Sequence, residues 1–368
     1  MKSTAALQVG PRHIEMTELD VPALQPGQAL LKVEGSGMCG SDYEQYTGAF
    51  DGTNLITKYP MVPGHEPVGT IVDITPEAAR AWQVKAGDRV AVEAFGACGV
   101  CLPCTRGDYT LCVRKHFYGF TPVDVGCGLW GGYSEYMVLQ GNTQLHAIAP
   151  ELTVEDAVLF NPIGAGFEWV CRVGETRPGD VVVIAGPGQR GLASVIAARE
   201  SGAAKVILAG TSRDTRRMEI GRQLGADVIV NVESENLVDV VREQTDGYGA
   251  DQFYDMSAFA TQPILDGIKS VRRGGTVVLA GIKGNKEVPG FISDDIVLDS
   301  LTLKGALAVR RPAYRQAIRI IESGKYPALQ QLHTHTLPIE DLERGMQLLG
   351  GELGEEAMHV TMVPTLGA

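Results

Sequence analysis

From about residue 156 the chain alternates between continuous apolar runs and helical segments with one apolar face. The runs are DVVVIAG (180–186), KVILAG (205–210), DVIVNV (227–232), DQFYDMS (251–257), TVVLAGI (276–282) and LTLKGALA (301–308). Unbroken apolar runs of this length suit strands covered on both faces, as in a parallel sheet. Between them lie GLASVIAARESG, ending at Gly202, then RRMEIGRQLGA, LVDVVREQT and PILDGIKSVRRGG, with apolar residues at helical spacing. Six strands with intervening helices predict a doubly wound α/β domain over residues 156–308.

Residues 1–155 have a different texture. ALLKVEGSGMC, VGTIVDI, DRVAVEA and YSEYMVL are short extended runs separated by Gly and Pro, with little helical periodicity, so this lobe reads as mostly β. After residue 308 come a helix, AYRQAIRIIESGK, another near IEDLERGMQLL, and a closing strand, AMHVTMV. This tail, 309–368, is expected to pack back on the first lobe and complete it. The opening MKSTAALQVGPRHIEM has no apolar h-region and reads as the start of a strand, not a signal peptide.

A chain of 368 residues is too long for one ordinary core, which agrees with two domains. Its 45 glycines imply many tight turns, or backbone that must approach a ligand. The net charge of −12 argues against nucleic acid and against an anionic membrane surface, both of which call for Lys and Arg. No run of eighteen apolar residues offers a bilayer span. Seven cysteines without a secretory signal point to a reducing compartment, with the cytoplasm as the expectation.

Four of those cysteines fall in ACGVCLPCTRGDYTLC, spaced Cys98-x2-Cys101-x2-Cys104-x7-Cys112. Two-residue intervals bring successive sulfurs to one centre, and the longer excursion returns the fourth. Four thiolates around Zn²⁺ make a closed tetrahedral site with no vacancy for a substrate. A ferredoxin-like iron–sulfur run has three-residue spacing and a proline after its last cysteine, whereas Val113 follows Cys112. The cluster therefore reads as structural zinc that staples a lobe.

A strand-to-helix junction, VVVIAGPGQRGLASVIAA, carries Gly186-x-Gly188-x-x-Gly191. In that context the first glycine permits the tight turn, the second lets backbone touch pyrophosphate, and the third allows helix and strand to pack closely. Gln189 and Arg190 open the helix whose N-terminal N–H groups favour the anion. An acidic residue roughly 20 positions on would hold a ribose 2′-hydroxyl. The second strand instead ends in Gly210, Thr211 and Ser212, followed by Arg213, Asp214, Arg216 and Arg217. Small hydroxyls plus guanidinium suit a 2′-phosphate, so NADP(H) is favoured over NAD(H). Gly281 and Ile282, in LAGIKG, are expected to line the nicotinamide side.

Two stretches of the first lobe carry candidate chemistry, GMCGSDYEQYTG and YPMVPGHEPVGTIVDI. Cys39, His65 and Glu66 offer a sulfur, an imidazole and a carboxylate, a mixed set suited to Zn²⁺ with an open position. With the four-cysteine motif, the glycine loop and GGYSEY (131–136), these motifs resemble the zinc-dependent medium-chain dehydrogenase/reductase superfamily over essentially the whole chain, nearest its sorbitol and threonine dehydrogenase-like branch. The resemblance implies a GroES-like catalytic domain, 1–155 completed by 309–368, and a Rossmann domain with a six-stranded parallel sheet.

It further implies that Cys39 and His65 ligate a catalytic zinc and that Glu66 is a direct or exchanging ligand. Ser41 would take the substrate's proton, and Asp42 would orient a ligand imidazole. Two positions depart from the branch. Asn161, a candidate but weak zinc ligand, stands in FNPIGAG where Glu or Asp precedes Pro, so either water bridges it to the metal or Glu66 completes the set; Glu44 stands where many relatives end a proton relay with histidine.

The implied reaction is interconversion of a secondary alcohol (a polyol, sugar-like or cyclic) with its ketone, by hydride exchange with NAD(P) in a cleft between the lobes. Glu44, Tyr46, Phe50, Phe117, Tyr118 and Trp130 are the candidate wall. Two alternatives stay open: a zinc-free, NADPH-dependent reductase of an activated double bond on the same scaffold, and a non-catalytic NADPH-binding protein. Relatives of this kind are usually homodimers or homotetramers.

Overall fold

The computed structural model describes residues 1–50 and 58–364. Residues 51–57 and 365–368, both inside the span assigned to the first lobe, lie outside the described residues. The chain separates into two compact units. One is Met1–Asn161 with Ile318–Gly324 and Leu332–Ala368; the other is Pro162–Ala317 with Lys325–Gln331. The tail expected to join the first lobe is therefore divided. Helix Arg311–Ser323 contributes to both units, and its first turns pack in the second, where the Tyr314 ring lies close over Gly164.

In the second unit six parallel strands run in the order Val228–Asn231, Lys205–Gly210, Val181–Ala185, Ala250–Asp255, Val271–Leu279, Thr302–Gly305. The order reverses between the first and fourth strands, which is the doubly wound Rossmann arrangement. Its core joins Val183, Ile207, Val230, Phe253 and Val277, all fully buried, as the continuous apolar runs predict. One boundary differs. The predicted helix PILDGIKSVRRGG ends at Ser270, and residues 271–275 already belong to the next strand. β-branched Val271 is extended there, and Gly274, at φ 71°, takes a left-handed conformation that no helix continues.

In the first unit Lys2–Gly10 and His13–Asp20 form an antiparallel hairpin. The main sheet runs His333–Pro338, His359–Val363, Ala29–Met38, Glu66–Ile74, Arg89–Val92, Leu145–Ala147, with Tyr136–Leu139 also paired to Ala29–Met38. Ala29–Met38 is the organising strand. Its Gly37 lies opposite Glu66 on one side and Thr361 on the other, so the C-terminal strand reaches the same end of the sheet as the two candidate motifs. Leu31, Ile71, Val90, Met137, Tyr118 and Trp130 fill one core cluster; Met38, Tyr46, Tyr133, Met346 and Met362 fill another.

Helix Gly40–Thr47 (GSDYEQYT) has no apolar stripe that announces it. Its ends hold it instead. Cys39 and Asp42 form a reciprocal N-terminal cap, and Gly48 closes the helix at φ 76°.

Candidate active site and metal centres

The four-cysteine lobe is built locally. Cys101 Sγ lies 3.4 Å from Cys104 Sγ and 3.8 Å from Cys112 Sγ, and none of the four is in a disulfide. A disulfide needs about 2.05 Å, whereas the edge of a tetrahedron with Zn–S bonds of about 2.3 Å is roughly 3.8 Å. All four sulfurs lie within 4.8 Å of one another. Backbone N–H groups point into the cluster: those of Cys98 and Arg114 donate to Cys112 Sγ at 3.3 and 3.4 Å. N–H groups of Cys104 and Val113 pull the Cys101 thiol down to about 6, towards the thiolate a metal requires. One anchor was not legible in the sequence. Inside the loop, the Tyr109 hydroxyl donates to Glu93 Oε2 at 2.7 Å, and Glu93 Oε1 lies 2.8 Å from His146 Nε2 in a buried pair.

The second centre is assembled from separate segments. Cys39 ends the Ala29–Met38 strand and caps the following helix. His65 sits in the turn before Glu66–Ile74, after Gly64 at φ 94°. A Cβ at Gly64 would stand 2.9 Å from the backbone nitrogen of Tyr133, so only glycine lets that turn lie against the GGYSEY segment.

Cys39, Asp42 and His65 are buried, with ligand atoms within 4.8 Å of one another. Asp42 ties the other two together: one oxygen accepts the Cys39 N–H at 2.8 Å, and the other lies 3.2 Å from His65 Nδ1. That leaves His65 Nε2 facing the Ser41 hydroxyl at 3.5 Å and Glu66 Oε1 at 3.8 Å. The Ser41 hydroxyl also donates to Cys39 Sγ at 3.1 Å. Burial alone would lower the His65 pKa, but Asp42 and Cys39 raise it well above its ordinary value of 6.5. The pocket is thus strongly cation-favouring. A thiol, an imidazole and one buried carboxylate that converge, with Glu66 3.8 Å from the imidazole, fit a divalent zinc.

Other predicted site residues fall where the fold puts them. Glu44 is buried on the helix three residues after Ser41, so the two share a face. Asn161 is buried in helix Phe160–Phe167. Part of the proposed wall is core. Tyr46 is buried with its hydroxyl on Glu343 Oε1, Tyr118 hydrogen-bonds Thr143 and Gln140, and Trp130 packs among Leu31 and Val90 in the first core. The aromatics that do face His65 are Phe117, at 6.0 Å between ring centroids, and Phe120, at 5.6 Å. These two rings stack at 4.0 Å, and Phe50 lies 6.2 Å from Phe120. Phe120 was not legible in the sequence; only the turn after His116–Phe117 brings it alongside.

In the second unit the glycine loop has the expected anatomy. Gly186 has φ 99°, and a Cβ on Gly191 would stand 1.9 Å from the Gly186 carbonyl oxygen. Gly188 caps helix Gln189–Glu200 with open space where its side chain would be and no side-chain cap of its own, which suits a phosphate cradle. The Arg190 guanidinium lies 5.2 Å over the Trp169 ring. Gly281 comes so near that a Cβ would stand 1.8 Å from Ser257 O, and Ile282 O accepts the Phe259 N–H.

At the end of the second strand, Asp214 turns back to accept the Thr211 N–H and hydroxyl at 3.0 and 2.8 Å, and Arg217 Nη1 lies 3.7 Å from it. Arg213 and Arg216 are exposed. A residue that sequence reasoning missed reaches in from the turn after the next strand: Glu233 accepts the Ser212 N–H at 3.0 Å. No helix among the described residues is long and apolar enough to cross a membrane.

Comparison with known proteins agrees with this anatomy. Residues 25–151 match the family described as alcohol dehydrogenase GroES-like domain, and residues 191–323 match the zinc-binding dehydrogenase family. A Mycobacterium tuberculosis protein named "Probable alcohol dehydrogenase adh" is 41% identical over 360 residues, 96% of either chain. The erythritol/L-threitol dehydrogenase of Mycolicibacterium smegmatis is 31% identical, covering 99% of this chain and 98% of its own. Among solved structures, alcohol dehydrogenase TADH from Thermus sp. ATN1 superposes with TM-score 0.83 at 28% identity, covering 98% and 99% of the two chains. The chain belongs to the zinc-type medium-chain dehydrogenase/reductase family, as an oxidoreductase of the alcohol dehydrogenase kind.

Proposed function

We propose that this protein interconverts a secondary alcohol (a polyol, sugar-like or cyclic) with its ketone, exchanging a hydride with NADP(H) and using zinc at the Cys39 centre. The observation that carries the reading is the buried Cys39–Asp42–His65 cluster with the Ser41 hydroxyl against it. Cys39 Sγ, His65 Nε2 and Glu66 Oε1 would hold the cation, while Asp42 fixes the imidazole through Nδ1. A zinc ion there supplies Lewis acidity that lowers the pKa of a neighbouring hydroxyl, much as that of water falls from 15.7 to about 7.

The chain's own part is to move a proton and shape the cavity. Ser41 accepts the proton of the substrate hydroxyl and passes it towards Glu44, one turn along the same helix face. Phe117 and Phe120 exclude water beside His65 and admit the carbon skeleton. The Gly186–Gly191 loop binds the pyrophosphate, and Arg213 and Arg217 with Thr211 and Ser212 accept the 2′-phosphate. Glu233 on the Ser212 N–H favours a 2′-hydroxyl instead, so cofactor choice is a contest between this carboxylate and the arginines. We further expect a homodimer or homotetramer, supported by the uncovered edge strand Thr302–Gly305 and the exposed Phe291, Ile292, Val297 and Leu298.

A panel of secondary alcohols and ketones, assayed with both NAD⁺ and NADP⁺ alongside zinc content, tests the reading. About two zincs per chain with turnover of a polyol or cyclic alcohol is the expected result. One zinc with reduction of activated double bonds would replace it by the zinc-free reductase, and binding without turnover by the non-catalytic protein.

A further inference from the structure

His359 lies in the last strand, His359–Val363, far in sequence from every catalytic motif. It is fully buried, and neither ring nitrogen has a hydrogen-bond partner among the described residues. An imidazole carries at least one N–H donor in either protonation state. Buried polar groups are nearly always paired, so an imidazole kept in this position needs a reason.

The sheet register supplies one. Gly37 of the central strand lies opposite Glu66 on one side and Thr361 on the other, and His359 lies two residues before Thr361, on the same face. Glu66 and His359 thus reach towards each other across the central strand, over the one position there that has no side chain. His359 Nε2 is 4.0 Å from Glu66 Oε2. A Cβ on Gly37 would stand 2.8 Å from both of these atoms. The other Glu66 oxygen, Oε1, faces His65 Nε2 at 3.8 Å.

We propose that His359 is a positioning residue for the metal centre: across the bare backbone of Gly37 it donates to the outer oxygen of Glu66 and so presents the inner oxygen to Cys39 and His65. A shift of about 1 Å at either side-chain tip brings the pair to hydrogen-bond distance. Gly37 keeps the corridor open, and His359 keeps the carboxylate from rotating away from the cation. This rests on the reading of Cys39, His65 and Glu66 as zinc ligands.

The test follows zinc retention in the full-length protein at graded chelator concentration, with Cys39→Ser identifying which of the two losses belongs to this centre. His359→Leu fills the space without a donor and is expected to loosen that zinc about 10–100-fold while the four-cysteine zinc stays in place. His359→Gln, which keeps an N–H, is expected to restore most of the loss, and Gly37→Ala to reproduce it. Retention as tight as wild type in His359→Leu overturns the proposal. Equal loosening in the Leu and Gln variants, or joint loss of both zincs, assigns His359 a packing role and likewise overturns it. A wild-type chain that holds zinc only at the four cysteines removes the underlying metal reading instead.

Discussion

The two cysteine clusters of this protein are put together in different ways. Cys98, Cys101, Cys104 and Cys112 come from fifteen consecutive residues and converge through turns and backbone N–H groups. Such a set saturates a tetrahedral ion and leaves no place for a substrate. Cys39 and His65 stand 26 residues apart, and the acids around them have divided duties. Asp42 holds the Cys39 N–H and His65 Nδ1, while Glu66 Oε1 lies 3.8 Å from His65 Nε2. The first arrangement trades reactivity for rigidity. The second has Ser41 and the phenylalanine pair beside His65, the side on which the proposed reading admits a substrate hydroxyl.

Paired serine substitutions break the comparison most sharply. Cys39→Ser is expected to cut kcat about a thousandfold or more, with one zinc lost and dinucleotide binding unchanged by titration. Cys101→Ser should also release one zinc, but its main effect should be a melting midpoint lower by roughly 10 °C, at about 2–4 °C per kcal/mol for a domain of this size. If both variants lost activity and stability alike, the division of labour would be wrong.

Removing the brace is the next largest change. Asp42→Asn keeps the shape but weakens the bond to His65 Nδ1, and should cost about 10–100-fold in zinc affinity or kcat/KM. In the other unit, Arg217→Ala should raise KM for NADP⁺ roughly tenfold with little change for NAD⁺, and Glu233→Gln should shift the ratio the opposite way; steady-state kinetics with both cofactors checks both. The smallest effect concerns the lobe anchor. Tyr109→Phe should cost about 1 kcal/mol of stability in urea unfolding and leave turnover unchanged, since Glu93 keeps its His146 partner.

Much of this was legible in the sequence wherever the chemistry is local. The six apolar runs specify the parallel sheet because a strand covered on both faces must be apolar throughout. The glycine loop is readable because each glycine answers a separate steric demand, seen most plainly in the 1.9 Å that a Cβ on Gly191 would leave to the Gly186 carbonyl oxygen. The cysteine lobe is readable because spacing alone brings its sulfurs together.

Other features have no sequence signal. Helix Gly40–Thr47 is held by its caps, and Tyr118 and Trp130 look like pocket residues until their polar atoms are found satisfied in the core. By itself, then, the sequence determined the two kinds of unit, the glycine loop and the four-cysteine centre, since these depend on neighbours a few residues away. Only the tertiary structure decided which nitrogen of His65 faces Ser41, that Phe120 and not Trp130 lies beside that ring, that Glu233 reaches Ser212, and that His359 comes within 4.0 Å of Glu66 over Gly37. Those relations are set by strand register and by turns that close across tens to hundreds of residues, and no local pattern encodes them.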